Sequence, residues 1–243
     1  MLVLFSHLLT APVCCLLLWT SLGMLVPFLS SQHIRKRPEE DVFELSLVVF
    51  DIFLVLLFIL QHTMMATSWF KSALAYCNIV VIERLLYVAA TSVALLTMMV
   101  LWIPIESYPL WFIDTSDSIA LWLFFTLLHV LAWFILFLQV LVMNPLELIG
   151  IKQIYYYHKG LESPLVYLSN RLKRLYLHMR HPGATCLFVI LWFHPHMTLD
   201  RFILAFFLNI FLHCGFSVTE LDYKFARTEF IVKKVSYQFE KVE

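Results

Sequence analysis

Charged side chains are scarce in this sequence: Lys, Arg, Asp and Glu make up 14% of its 243 residues, where soluble domains carry about 25%. Seventeen basic residues balance seventeen acidic ones, so no net field is present to recruit nucleic acid. Cys14, Cys15, Cys77, Cys186 and Cys214 lie in or beside apolar runs and form no C-x-x-C spacing. A disulfide framework and a zinc site are both unsupported. There is no N-x-[ST] sequon, internal repeat or low-complexity tract. Met1–Ser30 lacks the basic n-region of a signal peptide, and its apolar run is too long for an h-region, so it reads as a first membrane helix.

What the chain has instead is apolar surface: 61% of residues are hydrophobic and 16% aromatic. A soluble monomer could not cover that with polar groups, which excludes disordered, coiled-coil and secreted-enzyme classes. About 20 apolar residues cross a bilayer as a helix. Six stretches are expected to do so: residues 2–29, 42–66, 79–103, 118–143, 183–199 and 201–219. The fifth is the shortest and ends in His194-Pro195-His196, with Asp200-Arg201 completing a tight turn into the sixth. The apolar runs are continuous rather than alternating, which argues against strands. The expectation is one all-α integral membrane domain over residues 1–243, a polytopic helical bundle.

Lys and Arg orient it. With six spans, thirteen of the seventeen fall on the side holding both termini, among them Lys71, Arg84, Lys152, Lys159 and Arg180. Arg35, Lys36, Arg37 and Arg201 fall on the other. Both termini are therefore expected on the cytosolic or nucleoplasmic side. Between the fourth and fifth spans, Pro164–Met179 mixes Leu165, Leu168, Leu172, Leu175 and Tyr176 with Arg171, Lys173 and Arg174, the pattern of a helix lying in the headgroup plane.

Ionisable groups inside spans are costly and mark function or tight pairing. On the second span Asp51, Val55, Phe58 and His62 share a face, since eleven residues make about three turns. His129 and Trp133 lie within the fourth, and Asn209, His213 and Glu220 form a stripe on the sixth. By depth, His62, Glu83, Arg84, Arg180, His181 and Glu220 gather at one leaflet boundary, as a pocket open to the cytosol or as ordinary interfacial ends. No carboxylate or cysteine cluster accompanies His194-Pro195-His196, so no metal site is expected. Two haem ligands at matching depth are also missing from His62, His129 and His213.

Four tags in order resemble the nurim family of multipass inner nuclear membrane proteins. The second span closes with Gln61-His62-Thr63-Met64-Met65-Ala66, and the third opens with Glu83-Arg84-Leu85-Leu86-Tyr87-Val88. Glu147-Leu148-Ile149-Gly150-Ile151-Lys152-Gln153-Ile154-Tyr155-Tyr156 follows the fourth, then His178-Met179-Arg180-His181-Pro182. The likeness runs from about Phe50 to Tyr223. It implies an inner nuclear membrane location, an envelope-associated structural role, and nuclear lamina or envelope proteins as partners besides the lipid bilayer.

That family is in turn similar to bacterial NnrU-like proteins and to isoprenylcysteine carboxyl methyltransferases. Arg180-His181-Pro182 matches the R-H-P motif of the methyltransferases, and Glu220 the acidic position after their helical hairpin. The likeness implies, as an alternative, S-adenosylmethionine held by Arg180, His181, Pro182 and Glu220. His62, Glu83, Arg84, His213 and Tyr223 would line the pocket. An arginine grips the cofactor's carboxylate with two charge-assisted hydrogen bonds, and a carboxylate or aromatic face suits its sulfonium. The methyltransferases continue with an F-G-x-x-Y-x-x-Y pattern, whereas this chain has Leu221-Asp222-Tyr223-Lys224-Phe225-Ala226-Arg227.

Overall fold

The structure, a computed structural model, describes residues 2–32, 45–105, 109–167 and 180–215, with residues 224, 227, 228 and 231. Four helices are long and apolar enough to cross a membrane: α1 (Leu2–Ser30, apolar over Thr10–Ser30), α2 (Leu45–Ala66), α4 (Glu83–Leu101) and α5 (Ile119–Val142). A 3-10 turn, Val80–Ile82, extends the apolar run of α4. All four coincide closely with the first four expected spans, because each is a continuous apolar run whose backbone polar groups only a helix satisfies internally.

The last two differ from expectation. Helix α8 covers Arg180–Trp192, 13 residues, and α9 covers Leu199–Gly215, 17 residues. At 1.5 Å per residue these are about 20 and 25 Å long. The fifth apolar run leaves the helix at Phe193 instead of continuing to Leu199. Pro195, which has no N–H to donate, lies in that departure. In place of a tight turn, His196–Met197 forms strand β2, antiparallel to β1 (Trp111–Phe112), with Trp111 opposite Met197 and Phe112 opposite His196.

Three short helices complete the described chain: α3 (Ser68–Tyr76) after α2, then α6 (Pro145–Ile149) and α7 (Ile151–His158) after α5. Of the expected in-plane helix Pro164–Met179, only Pro164–Tyr167 is described, as a 3-10 turn; the remainder lies outside the described residues.

Around the bundle the neighbours run α5, α8, α9, α2, α4, α1, with α1 also touching α8. Their central core is Leu29, Leu54, Val55, Met98, Ile190 and Leu204, with Phe28 and Trp102 meeting edge to face. A second core joins Cys14 of α1, Leu85 of α4 and Ile154 of α7. At its edge Gly150 is indispensable to the approach of α7. It has φ of +101°, and a Cβ there would stand 2.9 Å from the backbone nitrogen of Leu85 and 3.0 Å from Cβ of Arg84. The outward faces of the long helices remain apolar, as with Trp19, Phe53, Leu127 and Phe137, which is what lipid as solvent permits.

Candidate functional site

The two ends of the bundle carry different polar constructions. At the end bearing α3, α6 and α7, the buried face of α2 finishes in His62. Asp51, Val55 and Phe58 of that face are buried as expected. His62 Nε2 lies 2.6 Å from the Tyr87 hydroxyl of α4, a distance at which the phenol donates to a neutral imidazole nitrogen. Its Nδ1 is 3.4 Å from Thr91 Oγ1. Phe58, Tyr87 and Phe211 surround the ring at 5.8, 4.9 and 5.6 Å.

One turn before Tyr87, the exposed Arg84 lays its guanidinium over the Tyr87 ring at 5.4 Å. Its Nε donates to the Leu148 carbonyl at 2.8 Å, which satisfies a last-turn carbonyl of α6. Glu83 is 3.5 Å from Lys71 Nζ, and the buried Glu147 is 3.1 Å from Lys152 Nζ.

Of the residues expected to meet at this boundary, His62, Glu83 and Arg84 do so. Arg180, His181 and Pro182 open α8 at the same end, since Gly183 packs onto the Gln139 side chain in the last turns of α5. His213 is on α9 but exposed, about 200° around the helix from Phe211. Glu220 and Tyr223 lie outside the described residues. Sequence reasoning missed Tyr87 and Thr91 as partners of His62. Their signal was the spacing Arg84, Tyr87, Thr91, one stripe of α4.

S-adenosylmethionine would need a cation for its carboxylate and an anion or aromatic face for its sulfonium. The described groups at this end do not make that cradle. Arg84 keeps its terminal nitrogens, but Glu83 and Glu147 are paired with lysines and the Tyr87 ring is taken up by Arg84 and His62, so none of these groups is left for the sulfonium.

The opposite end holds a buried network that sequence reasoning took for a polar turn. His129, inside α5, is 5% exposed. Its Nε2 is 2.9 Å from the Phe193 carbonyl and must donate, so Nδ1 accepts from Ser30 Oγ at 2.8 Å. Ser30 Oγ accepts in turn from Trp133 Nε1 at 2.9 Å. His194 Nε2 lies 3.0 Å from the Ser31 carbonyl and its Nδ1 2.8 Å from the His196 carbonyl, and Trp111 Nε1 donates to the His194 carbonyl at 2.9 Å. Burial, with the Arg201 guanidinium nearby, pushes the His194 pKa down to about 3, so the ring is neutral.

Arg201 closes this end. Its Nη2 donates to the Leu29 carbonyl at 2.6 Å and the Ile190 carbonyl at 3.1 Å, in the last turns of α1 and α8. A cation here offsets the negative ends of two helix dipoles. Trp102 Nε1 donates to Asp200 Oδ2 at 3.0 Å, and the Ile103 N–H to Asp51 Oδ1 at 3.2 Å. These bonds join α1, α2, α4, α5, α8 and α9. Chemically the arrangement is a set of clasps on helix ends, with His129 locked into one tautomer and His194 facing a carbonyl from each ring nitrogen.

No family model matches the chain, and no solved structure matches it. Curated relatives do. The Nurim homolog of Drosophila melanogaster is 32% identical over 224 residues, covering 88% of this chain and 88% of its own. Nurim of Bos taurus is 36% identical over 185 residues, 75% of this chain and 70% of its own. Nurim of Homo sapiens is 36% identical over 188 residues, 76% of this chain and 71% of its own. With its apolar helices packed around buried polar clasps, this chain belongs to the nurim family of membrane proteins.

Proposed function

We propose that the chain is a six-pass protein of the inner nuclear membrane that serves the envelope structurally, with both termini on the nucleoplasmic side. The observation that carries the structural role is the far-end network, in which buried ionisable side chains tie helix ends to one another. The nurim resemblance supports the location and points to lamina or envelope proteins as partners. Six passes are supported by helix direction. The carboxyl ends of α1, α4 and α8 share an end with the amino-terminal halves of α2, α5 and α9. The 13-residue α8 crosses with its flanking turns. A fluorescent fusion expressed at low level tests the location. A nuclear rim that survives detergent extraction of the cytoplasm is expected, and plasma-membrane or diffuse reticular signal overturns it.

A second reading, an S-adenosylmethionine-dependent methyltransferase acting on a lipid-linked substrate, draws on one observation. Helix α8 starts with Arg180-His181-Pro182 at the end that carries His62, Tyr87 and Arg84. In that reading Arg180 and Glu220 hold the cofactor. Equilibrium binding of the cofactor to purified protein decides it: saturable binding abolished by Arg180→Ala and by Glu220→Ala supports the enzyme, and no binding at millimolar cofactor removes it.

A further inference from the structure

Helices α3 and α7 are too short to cross a bilayer, yet both pack against the Val80–Ile82 turn where α4 begins. They form one ledge around the end of the bundle, at the level where α2 and α5 finish. Exposed aromatic side chains stud it: Trp69 is 70% exposed and Tyr76 91%, with Tyr155 at 57% and Tyr157 at 55% on opposite sides of α7. Trp and Tyr with an apolar body and a polar tip belong at the headgroup level of a membrane.

The same ledge carries two exposed cations that face no carboxylate among the described residues. Arg84 lies over Tyr87, and Lys159 lies 5.9 Å over the Tyr155 ring. Glu83 is already paired with Lys71 and Glu147 with Lys152, and the exposed Glu162, three residues after Lys159, makes no ion pair with it among the described residues. The charge left over is positive, next to rings suited to the interface. Phosphate is the complement of each: Arg84 keeps its terminal nitrogens for a forked contact while Nε holds Leu148, and Lys159 offers a point charge.

We propose that this ledge lies in the headgroup layer and binds anionic phospholipids, their phosphates against Arg84 and Lys159 and their glycerol region against Tyr155. The inference rests on the membrane setting alone and is independent of which endomembrane holds the protein.

The full chain is reconstituted in nanodiscs of phosphatidylcholine, with or without phosphatidylserine, and melted. Anionic lipid is expected to raise Tm by about 4 °C. In a background with Arg171, Lys173 and Arg174 changed to Gln, Lys159→Gln and Arg84→Gln should each remove about half of the gain that remains, and the double variant nearly all of it. Neutralising Lys233 and Lys241 together should leave it intact. Equal Tm in the two lipids overturns the proposal, and so does a gain that survives in the double variant. Arg84→Gln also loses the Leu148 bond, so Lys159→Gln, an exposed change, carries the test alone if the other fails to fold.

Discussion

At the scale of single residues, backbone geometry and burial make the sharpest demands. Gly150 combines a left-handed φ with backbone atoms of Leu85 where a side chain would go. Gly160 also has positive φ, at +65°, but open space around it. Gly150→Ala should therefore cost about 1–3 kcal/mol and Gly160→Ala about 1 kcal/mol, a contrast that melts of the two variants in detergent resolve. His194 makes a pH prediction. Its folded pKa is about 3 against 6.5 for a free histidine, so below pH 6.5 the unfolded chain binds a proton that the native ring refuses. Stability is then lost as pH falls from 6.5 towards 3, by about 2 kcal/mol between pH 6.5 and 5. His194→Gln should flatten that slope by the same amount in paired melts. His196, also held low by burial, adds loss in the same direction. Nothing in the spacing His194-Pro195-His196 announced this burial, because it depends on Ser31 arriving from 163 positions away.

At the scale of elements, contact between helices is set by their smallest side chains and their ends. Helix α8 packs Gly183 onto the Gln139 side chain of α5, where an added Cβ would meet Gln139 Oε1 at 2.7 Å. Gly183→Leu should push the two helices apart and cost about 1–3 kcal/mol, read as a lower Tm with α5 more accessible to protease. The helix ends depend on Arg201. Arg201→Met leaves the Leu29 and Ile190 carbonyls without this donor and should cost about 2–4 kcal/mol. Arg201→Lys, with a charge but no fork, should recover only part of that. Hydropathy made the first four spans legible to within a few residues, since long apolar runs in lipid have one solution. The end of α8 was not legible: Leu187 to Phe193 is uniformly apolar, and the chain turns because Pro195 and a strand partner at Trp111 intervene. The candidate site divides in the same way. His62 and Arg84 were recognisable from depth and charge, whereas Tyr87 beside His62 and Ser30 beside His129 needed neighbouring helices to be placed.

At the scale of the whole molecule, the two ends differ in chemistry because they meet different surroundings. Among the described residues, Lys71, Arg84, Lys152 and Lys159 all sit at the end with α3, α6 and α7, and Arg201 at the opposite end is folded inward onto carbonyls; Arg35, Lys36 and Arg37 lie outside the described residues. Lys and Arg are retained on the cytosolic side of membranes, so this asymmetry supports the orientation proposed above. Helix α5, with 24 residues, is about 36 Å long and exceeds the roughly 30 Å of hydrocarbon, so the ends must emerge on opposite faces. Two exposed native cysteines, Cys77 after α3 and Cys214 near the end of α9, mark one face. The exposed Asp114, whose carboxyl the Ser116 hydroxyl and N–H hold below its usual pKa, marks the other. A membrane-impermeant maleimide applied to cells with only the plasma membrane opened should label Cys77 and Cys214. In an Asp114→Cys variant lacking both, it should label nothing until the endomembranes are opened too. Labelling of position 114 together with Cys77 at the first step would put both ends on one side, leaving α5 no bilayer to cross.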